Sequence, residues 1–314
     1  MNDEDWMLQK IIALGERDDS IRAMIMTSTR CDPNAPLDVF SDYDIEIFTE
    51  DPDAFGKSDE WLESLGPVLV SLLLRQDWAD PPYQGWSRLV VFEDGTKVDL
   101  QLNHLQRLKD FAESLPDHYD IGYTVLLDKD GLTASLKPPT YRAFIPNAPT
   151  EAEYHRVVNG FWWNSTYVSK YLWRGDMMAA KFMLDHGLIQ DGVRTMLEWS
   201  IEVDRGWNWR PGHYGKGIKK ALDPGTYREL AEVYAGGDIE ELWESFFRAA
   251  ALFRKVAVRV GEALGYEYLH DLDRRVMIYH QTVRKLDRRA ASPEELARLL
   301  KESFREDTAK ERAE

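Results

Sequence analysis

Along the first half of the chain, apolar residues fall in short runs separated by polar turns; along the second half they recur at helical spacing. The runs 21–26, 45–48, 68–74, 89–92, 98–102 and 123–127 are mostly bounded by Gly, Pro, Asp or Asn, and they predict strands of one mixed sheet. Ahead of them, residues 4–16 are amphipathic, and Trp6, Ile11, Ile12 and Leu14 predict the apolar face of an edge helix. Asp94-Gly95, set between two apolar runs, predicts a two-residue hairpin turn and places Asp99 within the second strand of that hairpin.

A proline-rich connector follows, with Pro138, Pro139, Pro146 and Pro149, and the pattern then becomes helical. Thr150 and Glu153 have capping-box spacing and open a long helix through Phe161, Tyr167 and Leu172. Further helices are predicted over 177–186, 192–203, 224–234, 239–264 and 272–290. Ser292-Pro293-Glu294-Glu295 starts a last one, and the charged tail 301–314 is expected to fray. The fold class is α+β: a mixed sheet with flanking helices over 1–145, a helical domain over 146–290, and a terminal helix and tail over 291–314.

With 44% hydrophobic and 12% aromatic residues, the 314-residue chain can fill a core. Its net charge of -16, from 55 acidic and 39 basic residues, argues against a general nucleic-acid binder and suits polycationic small molecules, although acidity also serves solubility alone. Cys31 is the only cysteine, which excludes an intrachain disulfide and a thiolate zinc site. The acidic start Met1-Asn2-Asp3-Glu4-Asp5 does not resemble a signal peptide, and no run reaches membrane-spanning length, so a soluble cytoplasmic protein without membrane partners is expected. The seven histidines show no zinc-hydrolase spacing, and Gly215-Lys216-Gly217 lacks the rest of a Walker motif and reads as a loop.

The informative chemistry lies in Ser28-Thr29-Arg30 and in Ser41-Asp42-Tyr43-Asp44. Residues two apart on a strand share a face, so Asp42 and Asp44 present paired carboxylates, a hard-oxygen site for magnesium carrying a nucleotide's phosphates. Ser28 and Thr29 form a small-hydroxyl turn able to meet phosphate oxygens, with Arg30 as a charge clamp or an internal ion-pair partner. Asp99, between Val98 and Leu100, is a carboxylate in apolar surroundings whose burial a shared metal would offset. Asp-x-Asp alone is common by chance; the combination is not. A hydroxyl turn after a strand, Asp-x-Asp opening the next, and a lone Asp on a later one resemble the DNA polymerase beta nucleotidyltransferase signature. The usual Gly-Ser of the turn stands here as Ser28-Thr29.

The string from Arg30-Cys31-Asp32-Pro33-Asn34-Ala35-Pro36 to Asp38-Val39-Phe40-Ser41-Asp42-Tyr43-Asp44 resembles the aminoglycoside 6-adenylyltransferases that inactivate streptomycin. Phe161 to Arg174, Ala180 to His186 and Met196-Leu197-Glu198-Trp199 are similar too, and the resemblance extends to about Val283. It implies a nucleotidyltransferase domain and a helical domain closing over it. It also implies transfer of AMP from ATP to a streptomycin hydroxyl, expected at position 6, with release of pyrophosphate and two-metal magnesium catalysis at Asp42 and Asp44. Asp99 would be a third ligand or the general base. Lys181 becomes a nucleotide-binding candidate, although Asp185 four residues on would also pair with it. Asp185 and Glu198 become candidates for holding the guanidinium groups of streptomycin, and a monomer is expected. Adenylation of another acceptor and a catalytically inactive nucleotide-binding module are the alternatives. Most of the aromatic density over 161–173 is expected to be packing.

Overall fold

The predicted apolar runs become β1 (Ile21–Thr27), β2 (Tyr43–Thr49), β3 (Val68–Arg75), β4 (Trp86–Phe92), β5 (Lys97–His104) and β6 (Thr124–Asp128) of one six-stranded sheet. The computed structural model describes residues 5–76, 85–289 and 291–311; the expected helix start at Glu4, the helix end at Ala290 and the last tail residues lie outside these. The sheet order is β3-β4-β5-β2-β1-β6. All neighbours are antiparallel except β2 and β5, which run parallel, so the sheet is mixed as expected.

Period-two alternation gives this sheet two different faces. One carries Met24, Met26, Tyr43, Ile45, Ile47, Val98, Leu100 and Leu102, covered by Met7, Leu8, Ile11 and Leu14 of the helix Trp6–Arg17. Trp6 itself is 46% exposed and lies under the Lys10 ammonium, so the buried stripe is rotated from the expected one, with Met7 and Leu8 taking its place. The other face carries Ala23, Ile25 and Phe48, covered by Leu108 and Phe111 of the helix Leu105–Glu113 and by Tyr119. The hairpin between β4 and β5 turns through Glu93-Asp94-Gly95 rather than Asp94-Gly95 alone. Gly95 N–H donates to Phe92 O, Phe92 N–H donates to Thr96 O, and Gly95 takes φ 86°, the left-handed residue that closes such a turn.

The chain divides into compact units Met1–Phe144 and Ile145–Glu314. The second is helical, and its first helix, Glu151–Arg174, opens with the expected capping box of Thr150 and Glu153. Its core sets aromatic pairs among aliphatic side chains: Phe161 stacks on Phe253 at 3.7 Å, and buried Trp162 donates to Tyr268 Oη at 3.1 Å. Residues expected as two helices form one continuous run, from Met177–Phe182 through a wide π-helical stretch, Met183–Val193, into Arg194–Arg205. Gly192 lets this run pack closely on Phe161, since a Cβ there would meet Phe161 Cδ2 at 2.7 Å. Ile239–Leu264 is as expected, whereas the next helix, His270–Lys285, stops short of the expected end. The last helix, Pro293–Glu311, does not fray from 301: Ser303 Oγ meets Thr282 Oγ1 at 3.1 Å, Arg274 pairs with Asp307, and Leu296 packs on the core.

Candidate active site

Thr27 pairs with Asp44 across β1–β2, and Asp44 pairs with Asp99 across β2–β5, so one row of the sheet holds both carboxylates. Tyr43, Ile45, Val98 and Leu100 are buried in the core of the first face. Alternation therefore turns Asp44 and Asp99 to the second face together. Asp42 lies just before β2, and one carboxylate oxygen each from Asp42, Asp44 and Asp99 fall within 4.8 Å of one another. The same face continues with Glu46 beside Gln101 and Phe48 beside Asn103. Buried Glu46 accepts from Asn103 at 2.9 Å and meets His118 Nε2 at 2.6 Å, while Gln101 accepts from Gln76 at 2.7 Å, a paired polar floor beneath the carboxylates.

The turn before β2 is held by Arg30, whose guanidinium donates to the carbonyls of Asp42 at 3.0 Å and Ser41 at 2.9 Å. It also stacks over the Tyr43 ring at 3.6 Å and reaches Asp5 at 3.4 Å. Of the two roles open from sequence, the geometry displays the internal one. Asp5 additionally accepts from Tyr43 Oη at 2.7 Å and caps the first helix through Leu8 N–H. Ser28 and Thr29 lie in the 3-10 turn Ser28–Cys31 that follows β1. Ser28 takes φ 66°, a left-handed conformation that glycine adopts without strain, so serine keeps a glycine-like backbone at an energetic cost.

Burial and then the charge of Asp42 push Asp44 up to about 6, Asp99 adds to this, and a hydrogen bond from Ser28 and the charge of Lys97 oppose it. Lys97 was not singled out by motif reading. Its Nζ donates to Asp42 Oδ2 and to Asp99 Oδ2, both at 2.7 Å. Burial alone would lower its pKa; the bonds to Asp42 and Asp99 raise it above the ordinary lysine value. The signal was available in sequence, because Lys97 and Asp99 are two apart on one strand and so share a face. Among the described residues, Asp99 Oδ1 is buried without a hydrogen-bond partner.

The candidates in the helical unit lie in local pairs. Lys181 Nζ bonds Asp185 at 2.8 Å and the Ala235 carbonyl at 2.9 Å. Glu198 pairs with Arg194 at 2.7 Å, and burial raises its pKa although Arg194 opposes this. Asp185 Oδ1 is buried without a partner among the described residues, so this carboxylate keeps an acceptor that its ion pair does not use. Gly215-Lys216-Gly217 lies in an irregular loop, as read from sequence.

An all-oxygen group of carboxylates, one raised by burial and by its neighbours' charge and another with an unused buried oxygen, fits a hard divalent cation. No helix among the described residues is long and apolar enough to cross a membrane. The streptomycin adenylyltransferase family matches residues 1–283. An aminoglycoside 6-adenylyltransferase of Bacillus subtilis (strain 168) is 32% identical over 272 residues, covering 85% of this chain and 93% of that protein. Another, from Campylobacter jejuni, is 29% identical over 272 residues, covering 85% of this chain and 91% of that protein. A crystal structure of an aminoglycoside 6-adenyltransferase from Bacillus subtilis aligns over 89% of this chain and 98% of that one, with 26% identity and a TM-score of 0.45. With nine-tenths of its length matched and the carboxylates of its sheet converging, the chain belongs to the streptomycin adenylyltransferase family and is a nucleotidyltransferase.

Proposed function

We propose that this enzyme transfers AMP from ATP to a hydroxyl of streptomycin, at position 6, and releases pyrophosphate. The observation that carries the reading is the convergence of Asp42, Asp44 and Asp99 on one sheet face, in a chain of this family. Asp42, Asp44 and Asp99 would hold magnesium. Bound there, two ions would supply Lewis-acid stabilisation of the attacking and leaving oxygens. The acceptor oxygen attacks the α-phosphorus in line, the bond from that phosphorus to the oxygen bridging to the β-phosphate breaks, and the hydroxyl proton passes to a base. The chain's own part is positioning: Arg30 holds the carbonyls of Ser41 and Asp42, Ser28 donates to Asp44, and the Glu46–Asn103 pair keeps β2 and β5 in register.

Asp185 and Glu198 are the two acidic candidates for a streptomycin guanidinium; each already holds an ion pair, with Lys181 and Arg194 respectively, and Asp185 keeps a buried oxygen that its pair does not use. Lys181 would meet the nucleotide only by leaving Asp185 and the Ala235 carbonyl.

The test mixes the protein with ATP, magnesium and either streptomycin or kanamycin and follows pyrophosphate. Release with streptomycin and little with kanamycin is expected, since kanamycin is cationic but lacks the guanidinylated streptidine ring. Equal rates with both would refute the acceptor assignment and spare the fold. Silence with both would favour another acceptor or an inactive nucleotide-binding module.

A further inference from the structure

The carboxylate cluster contains a cation of its own. Lys97 Nζ sits between Asp42 Oδ2 and Asp99 Oδ2 at 2.7 Å from each. The placement follows from topology: Lys97 shares a strand face with Asp99, and the β2–β5 register sets Tyr43 opposite Val98, which brings Asp42 level with Lys97. An ammonium bonds oxygens at hydrogen-bond distance with one charge, whereas magnesium draws the same oxygens to about 2.0–2.1 Å with two. One carboxylate oxygen cannot serve both fully.

We propose that Lys97 is an exchangeable counter-ion of this cluster and competes with the divalent cation for Asp42 and Asp99. The proposal rests on the reading of the cluster as a metal site given above. The side chain suits the exchange, because it is 41% exposed and ends a flexible stem, so the ammonium can swing toward water without opening the core. Lys97 thereby sets the divalent affinity of the site below that of the bare carboxylates, and it keeps the start of β2 and the start of β5 from repelling each other when no divalent cation is bound.

The test is titration of the chelator-treated full-length protein with Mn2+, without nucleotide, read by calorimetry and by thermal melting. Lys97→Met and Lys97→Gln, which keep most of the side-chain bulk, are compared with wild type at about 0.1 M and about 0.5 M KCl, where the screening lengths are about 10 Å and about 4 Å. Both variants are expected to bind Mn2+ roughly tenfold more tightly than wild type, and to keep that advantage at the higher salt because the competition is by contact. They are also expected to melt lower than wild type before Mn2+ is added and to recover on addition. Equal or weaker Mn2+ binding by both variants, or an advantage that vanishes at high salt, overturns the proposal. Asp44→Asn separates the two levels. If it leaves Mn2+ binding unchanged, or if wild type does not bind, the metal reading fails and this proposal with it. If Asp44→Asn weakens binding while the Lys97 variants match wild type, only the counter-ion role fails.

Discussion

Asp44 lies directly opposite Asp99 on the parallel strand pair β2–β5, so backbone pairing, rather than any loop, brings these two carboxylates together. Ladder bonds hold this backbone spacing, so the carboxylates can move apart only by side-chain rotation. Asp44 is held up at about 6, first by burial and then by the charge of Asp42, with Asp99 adding less.

Removing that charge should separate function from stability. Asp44→Asn and Asp42→Asn are expected to lower turnover roughly a hundredfold or more while the fold remains intact, because each removes a ligand charge and no core volume. Near-normal pyrophosphate release in either variant would sink the metal assignment. Without magnesium at pH 7, Asp44→Asn should melt higher than wild type by on the order of 2–4 °C.

That advantage should depend on pH with a defined sign. Asp44 is raised to about 6 in the folded protein. Its unfolded value is about 3.9, so the charged form costs stability in full above about 6 and the cost disappears below about 4. As pH falls through this window, wild type should gain on Asp44→Asn in magnesium-free melts until the difference closes. A gap that stays constant from pH 7 to pH 4 would contradict the assignment.

Ser28 supports Asp44 at a backbone cost. Its φ of 66° is strained for serine, so Ser28→Gly should stabilise the protein by about 0.5–1 kcal/mol in urea melts, through relief of the left-handed conformation. The same change removes the hydroxyl that holds Asp44 down, so the pH at which Asp44 titrates should move higher. Ser28→Val, β-branched at this φ, should destabilise instead. If glycine and valine shift stability in the same direction, backbone strain is not what Ser28 bears.

Gly122 approaches the turn that carries Ser28. It takes φ 127°, and a Cβ there would lie 2.1 Å from the Cys31 carbonyl oxygen. Neither the backbone nor the carbonyl can yield as a flexible side chain would, so Gly122→Ala should cost about 2–3 kcal/mol and displace the Ser28–Cys31 turn. Urea titration and turnover should fall together. A fully stable, fully active variant would show that this close approach is dispensable.

The helical unit carries its own acid sensitivity. His280 is fully buried, bonds Ser165 at 2.7 Å and Ser169 at 3.0 Å, and is pushed down to about 3 by burial. Its unfolded value is about 6.5, so below that pH the unfolded chain binds a proton that the folded one refuses, and stability is lost at up to about 1.4 kcal/mol per pH unit. His280→Gln should be less stable than wild type at pH 7, and the difference should narrow by pH 5. Parallel stability curves for the two proteins would refute the assignment.

Local physical chemistry determined much of this protein directly from sequence. The strand positions follow from short apolar runs with turn residues at their ends, and the start of the long helix follows from a capping box that needs only Thr150 and Glu153. Asp42 and Asp44 could be singled out because residues two apart on a strand share a face and follow a small-hydroxyl turn, and Asp99 because a carboxylate between apolar strand residues demands a compensating partner. What sequence left open depended on contacts between distant segments. Nothing local sets β5 parallel beside β2, and only that register puts Asp99 against Asp44 and lets Lys97 reach Asp42. The left-handed Ser28 is likewise imposed by its surroundings, since serine's own preference opposes it. Lys181 was legible as a cation near an aspartate, but its bond to the Ala235 carbonyl needed the helical unit to fold first. Patterning specifies which face of an element is buried; which elements then become neighbours is decided by the packing of whole faces and the pairing of strands far apart in sequence.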